Sequence, residues 1–261
     1  MLKKLLILLL LPVAAAAQST DYGSVQLLRG WKMDDGSYQA ALEFQLNPGW
    51  KTYWRSPGPA GLPPVFDWAA SGNIGAIDMR WPTPKVIDQG GMTTLGYYDR
   101  LVLPIRITPE ADGPVRVALS LQFGVCSDIC VPAQAVFLAA LDGSADEGTA
   151  LIRAALATAP QSGASAGLER ISCTVETSGA GFEITADMAF ESAVAAAYTV
   201  FEYGTQDIWI DTAESRSDGA SISASAPLRF MSSSEMDMDR DAVTVSIFGG
   251  KRTVEIEGCP S

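Results

Sequence analysis

Period-two alternation of apolar and polar residues, in short runs punctuated by Gly and Pro, is what most restricts the folds open to this chain. Tyr38, Ala40, Leu42, Phe44 and Leu46 alternate with Gln39, Ala41, Glu43 and Gln45, the pattern of a strand with one buried face. Val115, Val117, Leu119, Leu121 and Phe123 repeat it and run straight into Cys126. Leu101, Leu103, Ile105 and Ile107 do the same, and Pro104 among them predicts an edge or a bulge. Further on, Phe182, Ile184, Ala186 and Met188 alternate with polar residues, as do Val243, Val245 and Ile247. Many short strands of this kind predict an all-β fold built of antiparallel sandwiches.

Composition divides the chain. Lys3 and Lys4, the apolar run from Leu5 to Val13 and the small residues Ala15, Ala16 and Ala17 have the order of a secretory signal peptide, with cleavage expected before Gln18. No Cys follows that point directly, and no later segment reaches the roughly 20 apolar residues of a membrane helix, so the mature product is expected to be soluble and exported. Between Asp142 and Gly167 the residues are mostly Ala, Ser and Gly. There Glu147 to Ala157 predicts a short helix, and Pro160 to Gly167 a linker. The expected organisation is a signal peptide over residues 1–17, one β-sandwich over 18–145, a linker over 146–167 and a second β-sandwich over 168–261. In the second sandwich Ala193 to Tyr198 is ambiguous with a helical turn. Ala213 to Ser225, rich in Ser, Ala, Asp and Gly, reads as loop with one short strand.

Charge and histidine content exclude several functions. The net charge is -12, and losing Lys3 and Lys4 with the signal takes it to -14, against a nucleic-acid or anionic-membrane partner. No histidine is present, which removes Ser-His-Asp and Cys-His catalysis and the usual zinc sites. Neither a cofactor nor a metal is expected. Trp50, Tyr53, Trp54 and Trp81 have a carbohydrate-stacking reading, but packing is the commoner fate of such residues. Arg55 is expected to make a surface salt bridge of little consequence.

Four cysteines in an exported chain are most simply two disulfides, and spacing favours Cys126 with Cys130 and Cys173 with Cys259. The second bridge closes a long loop and reads as a staple holding the ends of the second sandwich. The first closes a ring so small that the chain-entropy gain is only about 2 kcal/mol, against about 4–5 kcal/mol for a loop of some ninety residues. Little stability is lost when it opens, which suits exchange. Three intervening residues match neither a zinc knuckle nor a Cys-x-x-Cys motif, so spacing alone leaves a structural clip open. No basic residue neighbours either cysteine in sequence and Asp128 lies between them, which predicts a poor nucleophile in isolation.

The wider neighbourhood carries a resemblance. Gly49-Trp50-Lys51-Thr52-Tyr53-Trp54-Arg55-Ser56-Pro57-Gly58, Gly61-Leu62-Pro63-Pro64, Trp81-Pro82-Thr83-Pro84, Leu95-Gly96-Tyr97-Tyr98, Leu103-Pro104 and Cys126 to Pro132 follow in order. Over about residues 25–140 the chain resembles the periplasmic N-terminal domain of the DsbD and ScsB thiol:disulfide interchange (protein-disulfide reductase) family. The resemblance implies an immunoglobulin-like sandwich with one redox-active pair, Cys126 and Cys130. Such a module passes electrons between a membrane-embedded thiol reductant and periplasmic thioredoxin-fold proteins, in settings that include disulfide isomerisation, cytochrome c maturation and metal stress. By position in the motif Cys130 matches the cysteine that forms the mixed disulfide and Cys126 the resolving one. The family's membrane and thioredoxin-like domains are not in this sequence, so the chain is expected to borrow a membrane reductant, to act as a shuttle, or to have lost the activity. A cap loop shields the sulfurs in the family; the matching stretch is Asp88 to Tyr98, where the family's phenylalanine is absent. Tyr53, Met92, Leu95 and Tyr97 are the candidates to line or cap the site. The alternative function is a non-catalytic periplasmic binding or scaffold protein whose two disulfides are both structural.

Overall fold

The computed structural model describes residues 18–20, 22–179, 181–204, 208–231, 238–250 and 252–260. The expected signal peptide, residues 1–17, lies outside the described residues. The first strands are β1 (Gln18–Thr20), β2 (Gly23–Lys32), β3 (Tyr38–Leu46), β4 (Lys51–Tyr53), β5 (Val65–Asp67), β6 (Ala76–Met79), β7 (Lys85–Gln89), β8 (Met92–Tyr98), β9 (Arg100–Thr108), β10 (Val115–Cys126) and β11 (Cys130–Leu141). Helix α1 (Thr149–Leu156) follows. Then come β12 (Gln161–Ser162), β13 (Leu168–Ser178), β14 (Gly181–Phe190), β15 (Ala196–Tyr203), β16 (Ile208–Ile210), β17 (Glu214–Asp218), β18 (Ser221–Phe230), β19 (Val243–Gly249) and β20 (Val254–Glu257).

Among the described residues the fold is all-β with one α-helix. Strands β1 to β11 make two sheets, one ordered β1-β2-β3-β9-β6 and the other β11-β10-β4-β8-β7, with β5 beside β10. Their inner faces share one core, in which Leu42, Phe44 and Leu103 meet Leu95, Leu119 and Phe137. Strands β12 to β20 make two more sheets, β12-β20-β19-β15 and β13-β14-β18-β16, with β17 beside β18. A second core of Ile184, Met188, Leu228 and Val245 fills the space between them and contains the Cys173–Cys259 bridge.

Several local expectations change. Strand β3 is buried on both faces rather than one: its outer residue Ala41 packs with Leu28 under Ile152 of α1. Beside it, Glu43 accepts from Gln26 and pairs with Arg100. Pro104 lies within β9 between two neighbours, one residue beyond the point where β6 stops pairing, and its carbonyl accepts from the Arg80 amide at 2.9 Å. Residues 196–203 are strand β15 and not a helical turn, paired along β19. The Ser- and Ala-rich stretch forms the β17–β18 hairpin, where Ile222, Ala224, Ala226 and Leu228 face the core.

The two pairs of sheets meet at Trp54 and Arg55. The Trp54 ring is fully buried and stands edge-on to Phe248 at 5.2 Å. The Arg55 guanidinium lies over the Trp54 ring, donates twice to Glu202 at 2.8 Å and once to Glu255 at 2.5 Å. Burial disfavours the Arg55 charge, and the two carboxylates more than offset it, so its pKa stays above the usual arginine range. Arg55 is therefore not the inconsequential surface pair expected from its sequence.

Candidate redox site

Strands β10 and β11 form one long antiparallel hairpin whose final register pair is Cys126 opposite Cys130, joined as a disulfide. Three residues, Ser127, Asp128 and Ile129, close the end. Strong alternation holds both strands: Val115, Val117, Leu119, Leu121 and Phe123 turn inward, opposite Leu141, Ala139, Phe137, Ala135 and Ala133. Cys126 and Cys130 therefore project from the opposite face, away from the core.

The two sulfurs sit in different surroundings. Cys126 is fully buried, Cys130 is half-buried, and Ile129 beside it is 74 % exposed. Strand β4 runs along the other side of β10, with Lys51 opposite Cys126 and Thr52 opposite Val125. Alternation then sends Lys51 and Tyr53 to the cysteine face, while Thr52 turns away and donates to the Gly124 carbonyl at 2.9 Å. The Tyr53 hydroxyl reaches Cys130 Sγ at 3.2 Å. A disulfide sulfur has no proton, so the hydroxyl is the donor. Burial, and secondarily the Tyr98 phenol, push the Tyr53 pKa up, which keeps that donor protonated.

A Pro-rich loop covers Tyr53. A Cβ on Gly124 would fall 2.5 Å from the Leu62 Cβ and 3.0 Å from the Tyr53 ring, and one on Gly61 would fall 3.1 Å from that ring. Glycine at both positions lets the loop, the tyrosine and β10 stack this closely. The loop is fixed to the sheet in turn, since the Leu95 amide donates to the Pro57 carbonyl at 3.0 Å.

A family model for the N-terminal region of the thiol:disulfide interchange protein DsbD matches residues 24–141. These residues form a DsbD N-terminal-like domain. The chain is also similar in fold to the crystal structure of the N-terminal periplasmic domain of ScsB from Proteus mirabilis. The TM-score is 0.68 at 21 % sequence identity, over 93 % of this chain and 95 % of that one. No curated protein sequence matches it. Among the described residues no helix is long and apolar enough to cross a membrane.

The matched span holds every residue singled out for the redox site, and the structure sorts them. Tyr53 is at the sulfur. Leu95 and Tyr97 belong to the core, Leu95 fully buried and Tyr97 stacked on Trp81 with its hydroxyl donating to the Pro82 carbonyl at 2.6 Å. Burial pushes the Tyr97 pKa well up, against a smaller opposing effect of Arg55. Met92 is half-exposed at the start of β8, beside the turn of the β7–β8 hairpin. Gly90 and Gly91 make that turn with φ of 64° and 88°, the two-residue hairpin form that needs positive φ at both centres. In this DsbD N-terminal-like domain β4 stands between β8 and the cysteine hairpin. The residues that share the sulfur row are instead Lys51 and, next across the sheet, Tyr98.

Lys51 is the residue that sequence reasoning missed. It lies about 75 positions before Cys126, and only the β4–β10 register makes the two neighbours. The aromatic set is packing: Trp54, Trp81 and Tyr53 are buried, and Trp50 lies half-buried against the same core beside Tyr22.

Proposed function

We propose that this chain is a periplasmic thiol:disulfide interchange protein, passing electrons through Cys126 and Cys130 to or from thioredoxin-fold partners, with a membrane-embedded thiol reductant in the relay. The observation that carries the reading is the asymmetry of the pair: Cys130 is half-buried next to an exposed hairpin tip, and Cys126 is sealed. An incoming thiolate must approach a disulfide in line with the bond it breaks. Cys130 is the sulfur with room for that approach, so it takes the partner, and Cys126 resolves the mixed disulfide. The match of residues 24–141 to the N-terminal region of a thiol:disulfide interchange protein supports exchange chemistry at this pair. Cytochrome c maturation is one pathway with such chemistry.

The test is capture. A Cys126→Ser variant leaves Cys130 unable to be released internally, so a mixed disulfide with an exported thioredoxin-fold protein accumulates. Absence of any such adduct, together with a wild-type potential below about -300 mV, assigns the bridge to structure and leaves a scaffold protein.

A further inference from the structure

One row of side chains crosses the six-stranded sheet on the face away from the core: Cys130 on β11, Cys126 on β10, Lys51 on β4 and Tyr98 on β8. Residues directly opposite one another in an antiparallel pair share a face, with Cβ atoms about 4.5–5.5 Å apart. Cys126 thus has its disulfide partner on one side and a lysine on the other. That lysine is 4 % exposed. An ammonium is costly to bury without compensation, and the Tyr98 ring, 5.9 Å from Nζ, supplies part of it. The other titratable groups on this face are Tyr53 on β4, Tyr98, Lys85 on β7, whose Nζ lies 5.6 Å from the same Tyr98 ring, and, further along β10, Arg116 and the Asp67 opposite Ser120. Asp128 is outside the row, in the exposed hairpin end.

We propose that the Lys51 ammonium is the counter-charge for the Cys126 thiolate, the group that makes this sealed sulfur able to leave and to resolve. The proposal rests on the exchange reading and deepens it. An external thiolate, from a thioredoxin-fold protein or a small dithiol, attacks Cys130 Sγ. A new S–S bond forms there, the Cys126–Cys130 bond breaks, and its electron pair departs on Cys126 Sγ. Water cannot reach that sulfur to solvate the charge; Lys51 pairs with it across the ladder. A second thiol of that partner then attacks the mixed disulfide and releases Cys130 reduced. In the opposite direction, where the Cys130 thiolate has attacked a partner's disulfide, the paired Cys126 thiolate attacks Cys130, re-forms the ring and expels the partner as its thiolate. Burial lowers the pKa of Lys51 while the ring is closed, and an anion formed beside it would raise that pKa. The absence of a basic neighbour in sequence is thus made good by the sheet.

The experiment uses the full mature chain with Cys130→Ser, so that Cys126 is the free thiol, and follows thiolate ultraviolet absorbance against pH. Replacing Lys51 by Met is expected to raise the Cys126 pKa by about one unit, a tenfold drop in thiolate fraction near neutrality, and Lys51→Arg to restore it. In the unsubstituted protein, nuclear magnetic resonance titration of Lys51 is expected to show its pKa rising when the ring is reduced by dithiothreitol. That readout needs no variant to fold. An unchanged Cys126 titration in Lys51→Met, or a Lys51 titration indifferent to reduction, overturns the proposal. Failure of Cys126→Ser to capture a partner overturns the exchange reading alone, because neither titration involves one.

Discussion

The Tyr53 hydroxyl donates to Cys130 Sγ across 3.2 Å, joining the three-residue strand β4 to the sulfur that a partner can reach. A neutral donor aimed at sulfur favours the thiolate over the thiol once the ring opens. Hydrogen bonds to charged groups contribute about 1.5–3 kcal/mol. Tyr53→Phe in a Cys126→Ser background is therefore expected to raise the Cys130 pKa by about 1 unit with the fold intact. Because the Tyr53 pKa is itself raised, the donor persists to beyond about pH 10. The two thiolate titrations should therefore be single-proton curves displaced by that shift with no second inflection from pH 6 to 9, as thiolate absorbance can check.

The two bridges should differ in what they do for stability. Cys173 to Cys259 spans 86 residues, ties β13 to the chain's last described segment, and is buried at both ends. Replacing both cysteines by Ser removes a constraint on the unfolded chain of up to about 4–5 kcal/mol, whereas the Cys126/Cys130 double replacement removes about 2 kcal/mol at most. Denaturant unfolding separates the two cases, and a larger loss at the small ring would contradict its role as an exchanging pair.

Much of this architecture is legible where alternation is strong and the apolar residues are large, as in β10, where Val115 to Phe123 point one way and deliver Cys126 to the other face. It fades in β18, whose inward positions include Ala224 and Ala226, because alanine adds little apolar contrast to a serine-rich run. The disulfide site was legible through two cysteines at one hairpin end. Its other walls were not, because register between distant strands is set by the whole sheet. One consequence is the exchange of neighbours at Tyr97 and Tyr98: a step of one residue flips a side chain to the other face, so Tyr97 enters the core and Tyr98 joins the sulfur row. The role of Arg55 is hidden in the sequence for the same reason, since its two carboxylates come 147 and 200 positions later.

Arg55 holds the two pairs of sheets together with all three partners about three-quarters or more covered from solvent. Exposed pairs contribute about 0–1 kcal/mol and fully buried pairs cost about 3–5 kcal/mol to break. Arg55→Met, which keeps a chain over Trp54 but abandons Glu202 and Glu255, is expected to destabilise by about 1–3 kcal/mol, between those limits. Its effect should shrink when Glu202 and Glu255 are also changed to Gln. A double-mutant cycle in chemical denaturation measures that coupling, and strict additivity would show that the ion pairs do not join the halves.

Gly124 tests whether the loop positions the tyrosine. Any side chain there points at the face shared by Cys126 and Tyr53, into a space already filled by the Leu62 Cβ at 2.5 Å and the Tyr53 ring at 3.0 Å. The strand itself tolerates a Cβ at this position, since the opposing residue is Pro132 and the backbone is extended. Gly124→Ala must then lift the Pro-rich loop or rotate Tyr53, at an overpacking cost of about 1–3 kcal/mol. Either movement draws the hydroxyl from Cys130. The expected signature is a Cys130 pKa shifted up as in Tyr53→Phe, with no further shift when both changes are combined, because the second removes a contact the first has already broken. Additive shifts would mean that Gly124 and Tyr53 act on the sulfur by separate routes.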